Sequence, residues 1–298
     1  MLRCRVCLWA CAGVVLCLLF VPGTLRAQGD VTRGGYLVQA SGGCRCHTDT
    51  AQGAQPLAGG CGLKTPFGIF YSTNITPDRE TGIGAWSDED FLRAMREGLA
   101  PDGSHYFPVF PYGSFSGMTT ADLLDIKAWL FAQPAVHQVN TPHAVWPPFG
   151  WRWTIGVWKR ISLPYPRPVL PPAQAGDPQV RRGAYLVNAV AHCAECHTPR
   201  NLAGGLKAGW FMAGSADGPE GELAPNITPD AATGIGDWSA ADLRWLMQTG
   251  FLPDGDDVQG LMAELIEHGY SKLTPEDMNA IVAYLQTIPP IENRVSKD

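Results

Sequence analysis

Two cysteines followed by a histidine give the strongest chemical signal in this sequence. Cys193 and Cys196 are separated by two residues, and His197 follows directly. This spacing is typical of a c-type haem site, where each thiol adds across one haem vinyl group and the histidine binds the iron. A zinc site would need two further ligands at similar spacing, and a thioredoxin-like pair would lack the histidine. The motif therefore predicts a covalently bound haem.

An internal repeat places a second motif of this kind earlier in the chain. Residues 33–38 match residues 182–187 at an offset of 149, and residues 74–87 match residues 226–239 at an offset of 152. Self-similarity of this kind indicates duplicated structural units. In the first copy one residue separates the two cysteines, which gives a CxCH site. We therefore predict two covalently bound haem c groups, held by Cys44, Cys46, Cys193 and Cys196, with His47 and His197 as proximal iron ligands.

The sixth iron ligand decides what each haem can do. A haem with histidine and methionine ligands is closed to substrates and suited to electron transfer. In the second copy we expect Met262, in a loop ahead of the last helix, to be this ligand. The equivalent residue of the first copy is Phe110, which cannot bind iron. There the alternatives are Met118, His105 or no ligand, and Met118 could instead be the hydrophobic staple of the next helix.

Cys61 is the odd thiol among the cysteines that follow the N-terminal segment. It could be a free buried cysteine, which we favour. It could also form a disulfide with Cys44, which would leave the first haem attached through Cys46 alone. His47 as a proximal ligand does not depend on which thiol attaches.

Each copy is predicted to contain three short helices, the first of which ends near the cysteines. The second and third helices begin at N-cap signatures: Ser87 with Asp90, Ser239 with Asp242, Thr119 with Asp122, and Thr274 with Asp277. Side chains at helical spacing are expected to pack in the core and not to bind iron: Met247, Met278, Ile281, Val282 and Leu285.

No alternating strand pattern competes with these helices, so the predicted fold class is all-α. The expected architecture is two tandem c-type cytochrome domains joined by a linker rich in proline and tryptophan. The predicted parts are a signal peptide at 1–27, domain 1 at 28–133, the linker at 134–178, domain 2 at 179–290 and a tail at 291–298. Each domain can be small because a buried porphyrin adds apolar core.

The NITPD segments at 74–78 and 226–230 leave two alternatives open. Asn74 and Thr76, with Asn226 and Thr228 in the repeat, could bind haem propionates or could form a turn. Trp86 and Trp238 follow these segments and are expected to pack on a haem edge.

The linker contains ten prolines, too many for a continuous helix. It also carries four tryptophans close to basic residues: Trp146, Trp151, Trp153 and Trp158. We expect these tryptophans to pack between the two domains. The alternative is that they dock on a partner or give peripheral membrane contact.

The N-terminal segment has the features of a secretory signal. Arg3 and Arg5 precede an apolar run from Leu8 to Val21, which is short for a membrane span. Export to the periplasm suits covalent haem attachment, and an uncleaved anchor is the alternative. The chain carries a formal net charge of -6 and no basic stripe or P-loop, which argues against nucleic acid as a partner.

These motifs together resemble the multi-haem cytochrome c subunits of bacterial periplasmic dehydrogenases, such as the alcohol dehydrogenase cytochrome subunit. The resemblance rests on GYLV ahead of the CH motif, the NITPD and TGIG segments, and the FPxFPY segment. It implies a subunit that takes electrons from a periplasmic dehydrogenase and passes them to a quinone pool or terminal oxidase. The sequence departs from the family in having two haem sites instead of three, a CxCH motif, and Phe110 where PAMPY has a methionine.

A second class of function remains open because the first haem could lack a sixth ligand. An open haem could react directly with peroxide or a small sulfur compound, as a dihaem enzyme would. The repeat architecture favours a non-catalytic electron carrier, and no catalytic residues are assigned.

Overall fold

The computed structural model describes residues 29–163 and 176–297. The predicted signal segment and residues 164–175 of the linker lie outside these ranges. The first copy contains α1 (Val31–Ala40), a 3₁₀ turn (Arg45–His47), β1 (Gly62–Thr65), β2 (Gly68–Tyr71), α2 (Asp88–Glu97), α3 (Tyr112–Phe115) and α4 (Thr120–Phe131). The linker adds β3 (Ala144–Val145) and α5 (Arg152–Ser162).

The second copy follows the same order of helices. It contains α6 (Pro178–Tyr185), a π turn (Leu186–Val190), α7 (Ala194–His197), 3₁₀ turns (Ala208–Trp210 and Pro219–Gly221), α8 (Ala240–Thr249), α9 (Gly260–His268), a 3₁₀ turn (Tyr270–Lys272) and α10 (Pro275–Leu285). The regular secondary structure of the described residues is thus mostly helical.

Helix starts agree with the N-cap signatures. Ser87 begins α2 and Ser239 begins α8, each with a reciprocal capping box. Thr119 and Thr274 cap α4 and α10 through their side-chain oxygens. The apolar stripe of α10 is buried as expected, because this helix packs against α6 and α8.

One glycine in each copy lets the first and last helices cross closely. A Cβ on Gly34 would lie 1.9 Å from the carbonyl oxygen of Asp125, and a Cβ on Gly183 would lie 1.9 Å from that of Ala280. Any side chain there would overlap backbone, so the α1–α4 and α6–α10 crossings both require glycine. We call this helix crossing the frame of each copy; the loops that carry the cysteines follow the first helix of each crossing.

A reciprocal contact joins the two copies. Tyr36 of the first copy donates a hydrogen bond to Asp277 of the second at 2.6 Å, and Tyr185 of the second donates to Asp122 of the first. Each aspartate is the N3 residue of the last helix in its copy. Within its own copy each aspartate is also paired with an arginine: Arg33 with Asp122 and Arg182 with Asp277. The two copies are therefore joined with approximate two-fold symmetry.

The all-α prediction omits a small sheet, although most of the regular structure of the described residues is helical. β1 pairs antiparallel with β2, with Gly62 opposite Tyr71, and β2 pairs with β3 of the linker, with Gly68 opposite Val145. The strands are two to four residues long and β3 is distant in sequence, so no alternating pattern could reveal them. The sheet attaches the beginning of the linker to the first copy.

The expected packing of the linker tryptophans between the domains is wrong for most of them. Trp146, Trp151 and Trp153 are 69%, 53% and 67% exposed. Only Trp158 of the four bonds to the second copy, donating from Nε1 to the carbonyl oxygen of Ala203 at 2.6 Å. Among the described helices, none has the length and apolar character needed to cross a membrane.

Candidate haem sites

The first cysteine–histidine site opens into a large cavity. Cys44, Cys46 and His47 lie on its wall, around a 3₁₀ turn closed by the bond from the His47 amide to the Cys44 carbonyl at 2.9 Å. The cavity has a volume of about 1230 Å³, and apolar side chains make up most of its interior, including Ile83, Trp86, Phe91 and Phe110. An apolar cavity with thiols and an imidazole on its wall fits a covalently attached haem.

Both histidines are oriented in the same way. His47 Nδ1 lies 2.7 Å from the carbonyl oxygen of Thr73, and His197 Nδ1 lies 2.8 Å from that of Pro225. These carbonyls directly precede the two NITPD segments. A protonated Nδ1 that donates to a carbonyl leaves Nε2 free as an iron ligand. Burial lowers the pKa of both imidazoles and so favours the neutral form that binds metal.

The four motif thiols are held in the protonated form. Desolvation by the protein atoms around these thiols raises the pKa of Cys44 and Cys193 to about 12, and the pKa of Cys46 and Cys196 to about 11, although Cys46 is itself exposed to the cavity. A thiol S–H is the group that adds across a vinyl double bond, so protonated cysteines suit thioether formation.

Cys61 borders the same cavity as the first motif. All five cysteines of the described residues are free thiols, so the alternative Cys44–Cys61 disulfide is not formed in this structure. Cys61 lies close enough to Cys46 to contribute, after burial, to the raised pKa of that thiol. Among the motif thiols, the neighbour of Cys61 in the cavity wall is therefore Cys46.

The structure does not bring the expected sixth-ligand candidates of the first copy to this cavity. Met118 is 3% exposed and packs in the main core. His105 lies under the linker helix, where a Cβ on Gly156 would be 2.9 Å from its Nε2. Among the described residues the cavity wall includes neither of them, whereas Phe110 lies on it.

In the second copy, Met262 lies on a helix and not in the expected loop. It occupies the first turn of α9 and is partly buried against the main core. The sequence ahead of it, rich in glycine and aspartate, gave no helix signal, and the N-cap residue Gln259 makes no side-chain capping bond. Met247 and Met278 are 8% and 1% exposed, so their predicted role in packing is confirmed.

Glu195, between the two cysteines of the second motif, connects the two sites. Its carboxylate accepts from Arg200 Nη2 at 2.6 Å and from Ser114 Oγ of the first copy at 3.1 Å. Burial raises its pKa, and these two partners act in the opposite direction. Glu195 and Cys196 both border the cavity that holds His47, so the two motifs are adjacent in space. The sequence offered no signal for the contact with Ser114.

The NITPD segments form turns that tie each copy together. The Asn74 side chain accepts from Thr76 and donates to the carbonyl oxygen of Val136 at 2.8 Å. In the repeat, Asn226 accepts from Thr228 and donates to the carbonyl oxygen of Ile291 at 2.7 Å. The second bond fixes the start of the predicted tail to the second copy.

Comparison with known proteins shows which family this chain resembles. The family described as "Cytochrome c" matches residues 180–289. The chain is 38% identical to a "Diheme cytochrome c-type" protein of Cereibacter sphaeroides, over 89% of this chain and 88% of that protein. It is 34% identical to an "Alcohol dehydrogenase (quinone), cytochrome c subunit" of Gluconobacter oxydans, over 95% of this chain and 60% of that protein.

A third relative is also named as the cytochrome subunit of a dehydrogenase. The "Fructose dehydrogenase cytochrome subunit" of Gluconobacter japonicus is 37% identical, over 87% of this chain and 53% of that protein. The chain therefore spans between half and two thirds of the length of these two dehydrogenase subunits. It spans most of the length of the diheme relative. On these likenesses, the chain belongs to the c-type cytochrome family that includes the cytochrome c subunits of bacterial dehydrogenases.

Proposed function

We propose that this chain is a dihaem c-type cytochrome that relays electrons from a periplasmic dehydrogenase to the respiratory chain. One observation carries the proposal: the cavity that holds His47 extends to Glu195 and Cys196 of the second motif. Two cofactor sites that share one cavity wall are suited to passing electrons within the chain. The names of the diheme and dehydrogenase relatives support the same assignment.

The residues of each copy have distinct tasks in this proposal. Cys44 and Cys46, with Cys193 and Cys196, would attach the two haems covalently, and His47 and His197 would bind iron through Nε2. The carbonyl oxygens of Thr73 and Pro225 fix the imidazole rings. Met262 would be the sixth ligand of the second haem. When bound, haem supplies an iron that accepts and releases one electron at a time.

The partners are proposed from the relatives and from the linker. A periplasmic dehydrogenase subunit would supply electrons, and a respiratory acceptor would receive them. Trp151 and Trp153 are exposed and stack on each other, and Ile161 is 77% exposed next to the exposed Arg160. Trp153 and Ile161 also border the cavity. We propose these side chains for peripheral contact with a membrane, where aromatic and basic side chains together are favoured. The predicted signal segment would direct the chain to the periplasm.

The test is a haem count on the periplasmically expressed, purified chain. The pyridine haemochrome spectrum should give two haems per chain, and reduced electron donors should reduce both. A His197→Ala variant should keep the haem at the first site, and its second haem should no longer be reversibly reduced and oxidised. Fewer than two covalent haems in the unaltered chain would contradict the dihaem relay.

A second candidate function rests on Phe110. This residue lies on the cavity wall at the place equivalent to Met262, so the first haem could be open to small molecules. Such a haem would act as a peroxidase or sulfur-compound oxidoreductase. Binding of carbon monoxide to the reduced, unaltered chain at one haem would favour this enzyme, and two haems that do not bind it would favour the relay.

A further inference from the structure

The first copy has no methionine at the position of the proposed sixth ligand of the second haem. The side chain of Phe110, at the place of Met262, contains only carbon and hydrogen and borders the cavity. It packs in an aromatic cluster, with ring centroids 5.7 Å from Tyr106 and 5.8 Å from Phe115. This position can shape the cavity but cannot bind iron.

A methionine on a neighbouring helix does reach the cavity. Met95, on α2, is 9% exposed and belongs to the same core as Met118 and Met247, but of these three only Met95 lines the cavity, together with Phe91 one helical turn earlier. The helix is held firmly at its start, because Lys127 Nζ donates to Asp88 at 2.8 Å and to the carbonyl oxygen of Trp86 at 3.0 Å. Met95 therefore presents a thioether from a fixed element of the wall.

Met95 and Phe110 belong to the same side of the first copy. α2 packs against α3, and Tyr112 of α3 lies against Gly98, the residue that ends α2. The ring of Phe110 lies 6.1 Å from that of Tyr112. The repeat makes this the side that carries Met262 in the second copy, and so the side on which a sixth ligand is expected.

We propose that Met95 is the sixth ligand of the haem held by His47, an inference that rests on the proposed dihaem function. Methionine has an unbranched side chain with three rotatable bonds, so its sulfur can adjust to a nearby iron. A thioether opposite histidine closes the haem to small molecules and raises its potential. The first site thereby becomes a relay like the second, with its ligand supplied by α2 in place of the segment that holds Phe110.

The repeat supplies a matched control for the experiment. Met247 is equivalent to Met95 at the offset of 152, but in its copy Met262 is available as ligand. Three single variants are compared with the unaltered chain: Met95→Leu, Met247→Leu and Met118→Leu. The readouts are the ferric methionine–iron absorption band at the red end of the visible spectrum and carbon monoxide binding by the reduced protein. Far-UV circular dichroism checks the fold.

Met95→Leu should lose about half of the band and let one haem per chain bind carbon monoxide, since one of two methionine ligands is gone. Met247→Leu and Met118→Leu should keep the full band and bind none. A Met95→Leu protein with the unaltered band, or loss of the band in Met118→Leu, would overturn the assignment. The haem count of the unaltered chain is separate: a count below two overturns the dihaem function, whereas a count of two with an unchanged band overturns only the role of Met95.

Discussion

The two copies of this chain share a frame but differ at the cofactor site. In both, a glycine lets the first and last helices cross, a capping box starts the middle helix, and a backbone carbonyl orients the histidine. The first site has one residue fewer between its cysteines, an additional thiol at Cys61, and Phe110 in place of Met262. The difference shows that the frame of the fold is kept while the cofactor environment changes residue by residue.

The thiols of the first site should contribute unequally, and this is the largest effect we expect. Cys46 adjoins His47 as Cys196 adjoins His197. Both Cys44 and Cys46 border the cavity, but Cys46 is exposed, whereas Cys44 is partly buried against the main core. Cys46→Ala should reduce the covalent haem count from two to about one per chain, and Cys44→Ala should retain both. Haemochrome spectra after acid-acetone extraction measure this. Full retention in Cys46→Ala would show that another thiol attaches the haem.

The shared frame should respond equally in both copies. Gly34→Ala and Gly183→Ala each place a Cβ within 1.9 Å of a carbonyl oxygen, so the helices must separate. We expect each to lower the free energy of unfolding by about 1 to 3 kcal/mol, the usual cost of overpacking. Urea denaturation measures the loss, with Gly209→Ala as a control because nothing lies within 4 Å of its added Cβ. A marked loss in only one copy would mean that the two frames are not equivalent.

The contact between the copies should show a small acid dependence through Asp277. Burial alone would raise the pKa of this carboxyl, but the hydrogen bonds from Arg182 and Tyr36 outweigh it and hold the pKa below its usual value. Its stabilisation is therefore complete above about pH 4, where the unfolded carboxyl ionises, and is lost as the pH falls through the lower folded pKa.

Asp277→Asn should remove the part of the acid sensitivity that comes from this carboxyl. We expect the change in the free energy of unfolding to be smaller than the contribution of a hydrogen bond to a charged group, which is about 1.5 to 3 kcal/mol. Urea denaturation from pH 3 to pH 6 would measure it. Glu276→Gln, at an exposed neighbour, is the control. An identical acid slope in Asp277→Asn and the unaltered chain would contradict the role of this carboxyl.

The sequence alone predicted the features that depend on local chemistry. The haem motifs, the repeat and the helix starts at Ser87, Ser239, Thr119 and Thr274 all follow from residue types at short spacing, and the structure confirms the helix starts. The family resemblance is confirmed by the relatives. The attachment and iron-ligand assignments remain predictions.

Features made by residues distant in sequence could not be predicted. The pairing of β2 with the linker strand and the contact of Glu195 with Ser114 depend on how the two copies fold together. Met95 lies on the cavity wall because of the way α2 is rotated about its axis. The sequence could not predict this rotation, because both copies have a methionine at this position. The sequence left Met118, His105 or no ligand as the alternatives for the first haem, and the structure places Met118 in the core.

The paired tyrosine–aspartate bonds have the form of an isologous dimer interface built within one polypeptide. In a true dimer such a polar contact would have to overcome the entropy of bringing two molecules together. Here the linker keeps the two surfaces at a high effective concentration, so the bonds need only select one orientation. Because that orientation also determines how the two cysteine–histidine sites face each other, the spacing between these sites is set within one polypeptide and does not vary with protein concentration.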